Sequence, residues 1–235
     1  MKINKIIILS ATVLMIFAKS NLVSGEDKAD GHVNESIKYL ISPVGRAEYN
    51  YLGVVDFEGK KVNLVKFKNK VLLVEDAQKI YSDPESSLPC KIERTISKPW
   101  GKEYITREYD QKNFTVVVKR FHGKKLINEQ TIKADGPIQD VIMLPFYLSR
   151  LPDLKAGMAF EARLPEAIRL KVVSVDEISV PAGKFKAYHL KSIPDKIEIW
   201  INKDTPRIPL KIQGKFALNY SMVMKEYIGS HAEKQ

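Results

Sequence analysis

The residues of this chain that could carry out chemistry are one cysteine, four histidines and several acids that stand close together. A cysteine beside a histidine can act as a nucleophile, two carboxylates can act as general acid and base, and zinc needs three or four ligands. No histidine stands at metal-ligand spacing from another or near the cysteine; the four are His32, His122, His189 and His231. The sequence also lacks a nucleophile elbow, a phosphate-binding glycine loop and a dinucleotide motif. It therefore predicts no catalytic residue, no metal site and no cofactor.

Cys90 is predicted to be a buried structural thiol. It follows Pro89, and in a strand Leu88, Cys90 and Ile92 would share one face. A similar phrase later in the chain has Leu210 at the matching position. A cysteine that is interchangeable with leucine is expected to pack rather than to react.

The acids form close pairs that could serve a cell-wall hydrolase as an acid and a base. Each pair lies at a predicted turn or strand end, where acids are common. A protein without enzymatic activity is therefore favoured, and the hydrolase is the less favoured alternative. The pairs are Glu75/Asp76, Asp83/Glu85 and Asp176/Glu177.

A duplicated phrase points to a β-scaffold with two similar parts. Residues 81–92 read YSDPESSLPCKI and residues 201–212 read INKDTPRIPLKI. Both are typical of a strand, a turn rich in Pro, Asp and Ser or Thr, and a second strand that begins at proline.

The elements that must position any site are mostly strands. Short alternating segments separated by turn residues indicate antiparallel strands along residues 37–228. A polar turn is expected at residues 68–70, after which Val71–Val74 would continue as a strand or a helical turn. The expected fold is mainly β, with a curved antiparallel sheet or incomplete barrel, two similar sub-motifs and one apolar helix.

The one helical segment spans residues 140–151. Val141, Leu144, Leu148 and Leu151 would share one face, and the remaining positions are also largely apolar. Asp140 is a candidate N-cap, and a proline five residues later would kink the helix or make it begin late. A helix that is apolar nearly all round must be covered on several sides. It is expected inside the curve of the sheet, as core or as a movable lid.

The first 25 residues predict export. A basic head precedes an apolar run over residues 6–18, and small residues follow at 23–25. Lys19 ends the apolar run too early for a membrane anchor, although an uncleaved anchor remains the alternative. The only cysteine is far from the cleavage region, so the protein is not expected to be a lipoprotein. The sequence predicts a periplasmic protein with a signal peptide (1–25), a flexible leader (26–36), one β-rich domain (37–228) and a frayed tail (229–235).

The formal net charge of +10 is spread along the chain, with acids between the lysines. Nucleic-acid binders usually gather basic residues on one face beside stacking aromatic residues. No nucleic-acid partner is therefore predicted. A solvated surface is the simplest interpretation, and weak attraction to anionic lipid headgroups or cell-wall polymers is the alternative.

Several phrases resemble one family of exported bacterial proteins. They are the turn and strand of residues 81–92, the helix and turn of residues 144–157, the segment VPAGKF at 180–185 and the strands of residues 200–212. In this order they resemble the domain of unknown function 3108, over roughly residues 40–228. That family carries no assigned activity, so the resemblance implies no catalytic residue.

The segment from Trp200 to Ile212 is also similar to the periplasmic lipoprotein-carrier folds. This likeness implies a half-barrel whose concave face holds an apolar hollow for acyl chains. The expected function is binding of a lipid, a lipoprotein or an envelope protein there. A structural adaptor with a filled interior, whose partners dock on sheet edges, is the alternative. The candidate ligand-binding residues are Val141, Leu144, Phe146, Tyr147, Leu148, Leu151 and Trp200.

Overall fold

The computed structural model describes residues 34–215 and 219–229. The predicted signal peptide, the leader up to residue 33 and the tail from residue 230 lie outside the described residues. The first strand begins at Glu35, two positions before the predicted start of the domain. The elements are β1 (Glu35–Ser42), β2 (Gly45–Phe57), β3 (Lys60–Val71), β4 (Val74–Ser82), β5 (Pro89–Lys98), β6 (Gly101–Asp110), β7 (Thr115–His122), β8 (Lys125–Lys133), α1 (Leu144–Ser149), β9 (Ala159–Arg163), β10 (Ala167–Val180), β11 (Gly183–Ile193), β12 (Ile197–Asn202), β13 (Pro209–Lys215) and β14 (Asn219–Ile228).

All the described strands belong to one antiparallel sheet. Its order is β8-β7-β6-β5-β4-β3-β2-β1-β14-β13-β12-β11-β10-β9. Each half is a simple meander of consecutive hairpins, and the pairing of β1 with β14 joins the N-terminal half (β1–β8) to the C-terminal half (β9–β14). Within the described ranges β8 and β9 remain the two edges of the sheet, so it does not close into a barrel. The predicted mainly-β, incomplete-barrel fold is confirmed.

The two similar sub-motifs are the hairpins β4/β5 and β12/β13. In each, the register shifts where the proline pairs: Pro89 opposite Ser82, and Pro209 opposite Ile201. Such a β-bulge bends the strand that carries it. The second connection is one residue longer, so the structural equivalent of Tyr81 is Trp200. Both hairpins thus bend the sheet at equivalent points.

The polar turn predicted at residues 68–70 is wrong. Strand β3 continues through it to Val71, which pairs with Val74 across a two-residue turn made by Leu72 and Leu73. Lys68 and Lys70 are exposed, whereas Phe67 is buried and Asn69 is partly buried. The polar stretch was therefore one face of a strand, whose side chains alternate between solvent and interior.

The helix is shorter than its apolar segment. It starts at Leu144 because Pro145 is tolerated only in the first turn, where its missing amide hydrogen is not needed. Asp140 instead caps the preceding turn, and its carboxylate accepts a hydrogen bond from the amide of Ile142 at 2.9 Å. The late start was one of the two outcomes that the sequence predicted.

The helix lies in the core and joins its two apolar clusters. Phe146 packs in the first cluster, which includes residues of β1 to β5. Its ring stacks there on Tyr49, with the ring centroids 3.7 Å apart. Leu144 and Leu148 pack in the second cluster, with residues of β10 to β13 such as Ile199. The apolarity on all sides of the helix is therefore used to hold the two halves together.

Candidate functional site

A cavity of about 770 Å³ lies where the two edges of the sheet face each other. We call it the edge cavity. Strands β6, β7 and β8 form one wall, and the β9/β10 turn with the start of β10 and β12 forms the other. The chain between β8 and α1 runs along it. Its apolar lining consists of Val116, Val118, Ile132, Ala134, Ile138, Val141, Leu164, Pro165, Ala167, Ile168 and Ile197.

The edge cavity is apolar in its depth and polar at its mouth. Ile138, Val116 and Ile168 are buried residues of the lining. The exposed residues of the lining are mostly polar: Gln130, Lys133, Asp135, Glu166 and Ala167. Such a division matches a molecule with an apolar body and a polar head.

A buried ion pair stands in the apolar part of the edge cavity. Arg107 Nη1 lies 3.3 Å from Asp140 Oδ2, and both side chains are largely removed from solvent. Burial raises the pKa of the neighbouring Tyr109, and the negative charge of Asp140 raises it further. The phenol therefore stays neutral and can act as a hydrogen-bond donor beside the ion pair.

Two glutamine side chains hold the segment between β8 and α1 in place along the edge cavity. Gln111, in the β6/β7 turn, donates a hydrogen bond to the carbonyl of Ile138 at 2.9 Å and accepts one from its amide at 3.0 Å. Gln139 extends the edge of β9, because its amide donates to the Arg163 carbonyl and its side-chain oxygen accepts from the Arg163 amide. These hydrogen bonds satisfy backbone groups on both sides of the cavity and so fix the position of its walls.

The charges that line the edge cavity balance each other. Three basic and three acidic residues contribute to the lining: Arg107, Lys133, Lys196, Asp135, Asp140 and Glu166. Besides the buried pair, Lys196 and Glu166 lie 3.8 Å apart. The balance favours neither an anionic nor a cationic head group.

The candidate residues from the sequence are only partly brought to this cavity. Val141 lines it, and Phe146 lines a smaller cavity of about 60 Å³ next to the helix. Leu144 and Leu148 are fully packed in the core, while Tyr147 and Leu151 are partly buried around the second cluster. Trp200 does not join them. Trp200 lines neither cavity; it is buried in the first apolar cluster, and its ring stacks on His189.

Sequence reasoning missed the strand residues of the edge cavity. Val116 and Val118 carry an alternating pattern that predicts one inward face, which is a signal any buried strand gives. Whether this face borders the edge cavity depends on which strand edges remain unpaired, and local sequence patterns do not contain this information.

Cys90 and Asp83, two of the residues singled out in the sequence, make local contacts with neighbouring residues. Cys90 is half-buried, its Sγ lies 3.2 Å from the carbonyl oxygen of Tyr81, and burial raises its pKa. Asp83 accepts hydrogen bonds from the amide and hydroxyl of Ser86 at 2.7 and 2.8 Å, as in an Asx turn. Among the residues that the structure describes, no group of three or more His, Cys, Asp or Glu is arranged to hold a metal ion.

His189 belongs to a largely buried charged network that joins β11, β12 and β13. Its ring stacks on Trp200 at 4.2 Å and its Nε2 lies 2.7 Å from Glu198 Oε2. Lys215 Nζ lies 2.5 Å from the other oxygen of Glu198. Burial raises the pKa of Glu198, but the hydrogen bonds from Lys215 and His189 and the charge of Lys191 outweigh it and lower the pKa to about 2.

The network predicts a specific loss of stability in acid. Because the pKa of Glu198 falls from about 4.5 to about 2 on folding, its stabilisation is complete above pH 4.5 and is lost as the pH falls towards 2. Glu198→Gln should be less stable than the wild type at pH 6, and the gap should narrow by about 1 to 3 kcal/mol by pH 2.5. Urea denaturation of both proteins across this range measures it, and a constant gap would contradict the role of the carboxylate.

Comparisons with known proteins place the chain in a family without assigning it a function. The model of a family described as protein of unknown function (DUF3108) matches residues 54–225. No curated protein matches the sequence significantly.

Two solved structures are similar to this one. A β-barrel-like protein of domain of unknown function DUF1849 from Brucella abortus has 9% identity and a TM-score of 0.47, over 83% of this chain and 97% of that chain. A "putative lipoprotein" from Parabacteroides distasonis has 8% identity and a TM-score of 0.28, over 84% and 96%. Neither likeness is close enough to carry an argument about function.

Proposed function

Because the chain belongs to the family of proteins of unknown function DUF3108, we propose a function from its geometry. The protein binds an amphipathic molecule of the cell envelope, such as a lipid, with the apolar part inside the edge cavity. It carries out no reaction on that molecule. The exported, periplasmic location that the first 25 residues predict is part of this proposal.

The observation that carries the proposal is the edge cavity itself. Its volume of about 770 Å³ lies within the usual range of small-molecule sites, about 300 to 1,000 Å³. It is lined by apolar side chains from both halves of the sheet and has polar residues at its mouth. An acyl chain would replace water next to these apolar side chains, which is favourable at about 25 cal/mol for each Å² removed from water.

The helix has a supporting role in this proposal. The sequence suggested that ligand could displace or cover its apolar side chains, but Leu144 and Leu148 have at most 1% of their surface exposed. The helix therefore supports the concave face of the sheet, and the ligand occupies the edge cavity beside the helix. Val141, just before the helix, connects the two because it lines both cavities.

A pair of adjacent valines allows a matched test. Val118 lines the edge cavity. Val117, the residue before Val118 in β7, faces the other side of the sheet. Val118→Trp should place a bulky ring in the cavity, obstruct the ligand's apolar part and reduce the affinity for a dansyl-labelled fatty acid about ten-fold or more. Val117→Trp should bind the probe as the wild type does. Fluorescence titration measures both affinities, and thermal melting checks that each variant is folded.

Two results would contradict the proposal. The wild type could fail to enhance the fluorescence of the fatty acid and of a dansyl-labelled lysophospholipid at micromolar concentration. Alternatively, Val118→Trp and Val117→Trp could bind the probes equally, which would locate the binding elsewhere on the protein.

A second candidate function is supported by the edge strand β8. Nearly all of its residues are exposed, and its outer edge is unpaired within the described ranges. Such an edge can accept a strand from another protein. An adaptor of this kind would keep its partner when Val118→Trp obstructs the edge cavity, and it would lose the partner when Asn128→Pro removes an amide of β8.

A further inference from the structure

The hairpin turns at one end of the N-terminal half carry exposed apolar side chains. Since β1 to β8 form a simple antiparallel meander, the turns β1/β2, β3/β4, β5/β6 and β7/β8 all lie at the same end of the strands. Successive turns are two strands apart, which places them about 10 Å from each other along the sheet. We call this row of turns and the residues beside them the apolar rim.

The exposure of the apolar rim is large. Leu72 and Leu73 have 65% and 75% of their surface exposed, Val44 has 59% and Trp100 has 37%. Leu126 and Ile127, just after the β7/β8 turn, are exposed as well. These side chains come from three successive turns and from the start of β8 beside the fourth, so they lie along one end of the strands rather than scattered over the surface. Such a group marks an interaction site more often than isolated apolar residues do.

The opposite end of the same strands is different. Its turns are residues 58–59, 83–88 and 111–114, and they contain none of the exposed large apolar residues of the described chain. They are rich in Asp, Glu, Ser, Lys and Asn. The difference between the two ends shows that exposed apolar tips are not a general property of these hairpins.

The turn of Leu72 and Leu73 is not explained by folding. Two-residue hairpin turns normally contain Asn, Asp or Gly, because at least one residue needs a positive φ. Leu72 has a φ of 54°, and neither leucine is covered by the protein. The turn at the opposite end of β3 also has a non-glycine residue at positive φ, Glu58 at 51°, but it is followed by Gly59 at 76° and carries no apolar side chain. The two leucines at the rim therefore differ by being apolar and exposed, and they gain nothing from packing within the protein.

Basic residues accompany the apolar rim. Six lie in the four turns or within two positions of them: Arg46, Lys70, Lys98, Lys102, Lys124 and Lys125. The single acid in the same positions is Glu75, which pairs with Lys68 at 3.0 Å. At the opposite end, the corresponding positions contain more acids than bases.

Apolar tips surrounded by cations fit the surface of an anionic bilayer. Leucine and tryptophan insert between lipid headgroups, and each lysine near such a surface adds attraction. We propose that the protein docks on anionic membrane surfaces through the apolar rim, with Leu72, Leu73 and Trp100 inserted among the headgroups. This inference stands independently of the edge cavity, since no rim residue lines that cavity.

A turn replacement tests the proposal without harming the fold. Leu72→Gly combined with Leu73→Asn removes both exposed leucines and puts glycine at the position of positive φ, as a type II′ turn prefers, so the variant should fold at least as well as the wild type. The wild type should cosediment with vesicles of phosphatidylethanolamine and phosphatidylglycerol, and the variant should bind these vesicles at least about ten-fold more weakly. Val173→Thr combined with Val175→Thr, which removes exposed apolar groups from β10, should bind as the wild type does.

Two further measurements separate docking from other binding. Phosphatidylcholine vesicles, or anionic vesicles at high salt, should bind the protein much less, because the cations then lose their partners or are screened. In a Trp200→Phe background, brominated lipid should quench the fluorescence of Trp100. Absence of binding to anionic vesicles would overturn the proposal, and so would equal binding by Leu72→Gly/Leu73→Asn. Capture of another protein by the rim without vesicle binding would also overturn it.

Discussion

Leu148→Asp is expected to abolish stable folding, with a loss of about 4 kcal/mol or more in the free energy of unfolding. Leu148 has 1% of its surface exposed and packs among residues of the second apolar cluster. An aspartate there would be an unpaired charge in an apolar environment. Because α1 also contacts the first cluster through Phe146, its displacement would disturb both halves of the sheet. Far-ultraviolet circular dichroism during thermal and urea denaturation measures the effect.

A conservative variant separates the charge from the shape. Leu148→Met keeps the volume and the apolarity, so it should cost less than about 1.5 kcal/mol. If Leu148→Asp melted like the wild type, the helix would be exposed in solution, and the description of the core would be wrong.

The second large effect is expected at a buried ion pair inside the N-terminal half. Arg94 Nη2 lies 2.7 Å from Asp76 Oδ2, and its Nε lies 2.9 Å from Asp76 Oδ1. Both residues are buried, on the same inward face as the core residues Ile80 and Ile92. Asp76→Ala should therefore destabilise the protein by about 3 to 5 kcal/mol, because it leaves the guanidinium without its carboxylate in a buried position.

The double variant Asp76→Leu/Arg94→Met is the control for this prediction. It removes both charges and keeps apolar side chains of similar length, so it should be more stable than Asp76→Ala. Urea denaturation of the single and double variants gives the coupling free energy. A loss below about 1 kcal/mol for Asp76→Ala would show that the pair behaves like a surface ion pair.

The sequence was informative about the fold because most of its strands have one apolar face. The alternation in residues 90–96 and 114–121 corresponds to β5 and β7, and the two proline-containing phrases correspond to two bulged hairpins. The pairing of β1 with β14 could not be predicted, because it joins residues almost 190 positions apart and no local pattern specifies it. The Leu72-Leu73 turn was missed because its residues contradict the usual turn composition.

The site was harder to predict than the fold. The apolar segment from Val141 to Leu151 was the most visible candidate, and it proved to be mainly core. The cavity arises instead from two sheet edges that stay apart, and its lining residues come from segments that look like ordinary strands. Only the order of the strands shows which of their faces border open space.

Ligand binding in the edge cavity is tested most directly by native mass spectrometry of the protein purified from the envelope of cells that export it. We expect one amphipathic molecule bound to the wild type and to Val117→Trp, and little or none bound to Val118→Trp. Wild-type protein that is consistently empty, and that takes up no fatty acid or lysophospholipid when these are added, would contradict it.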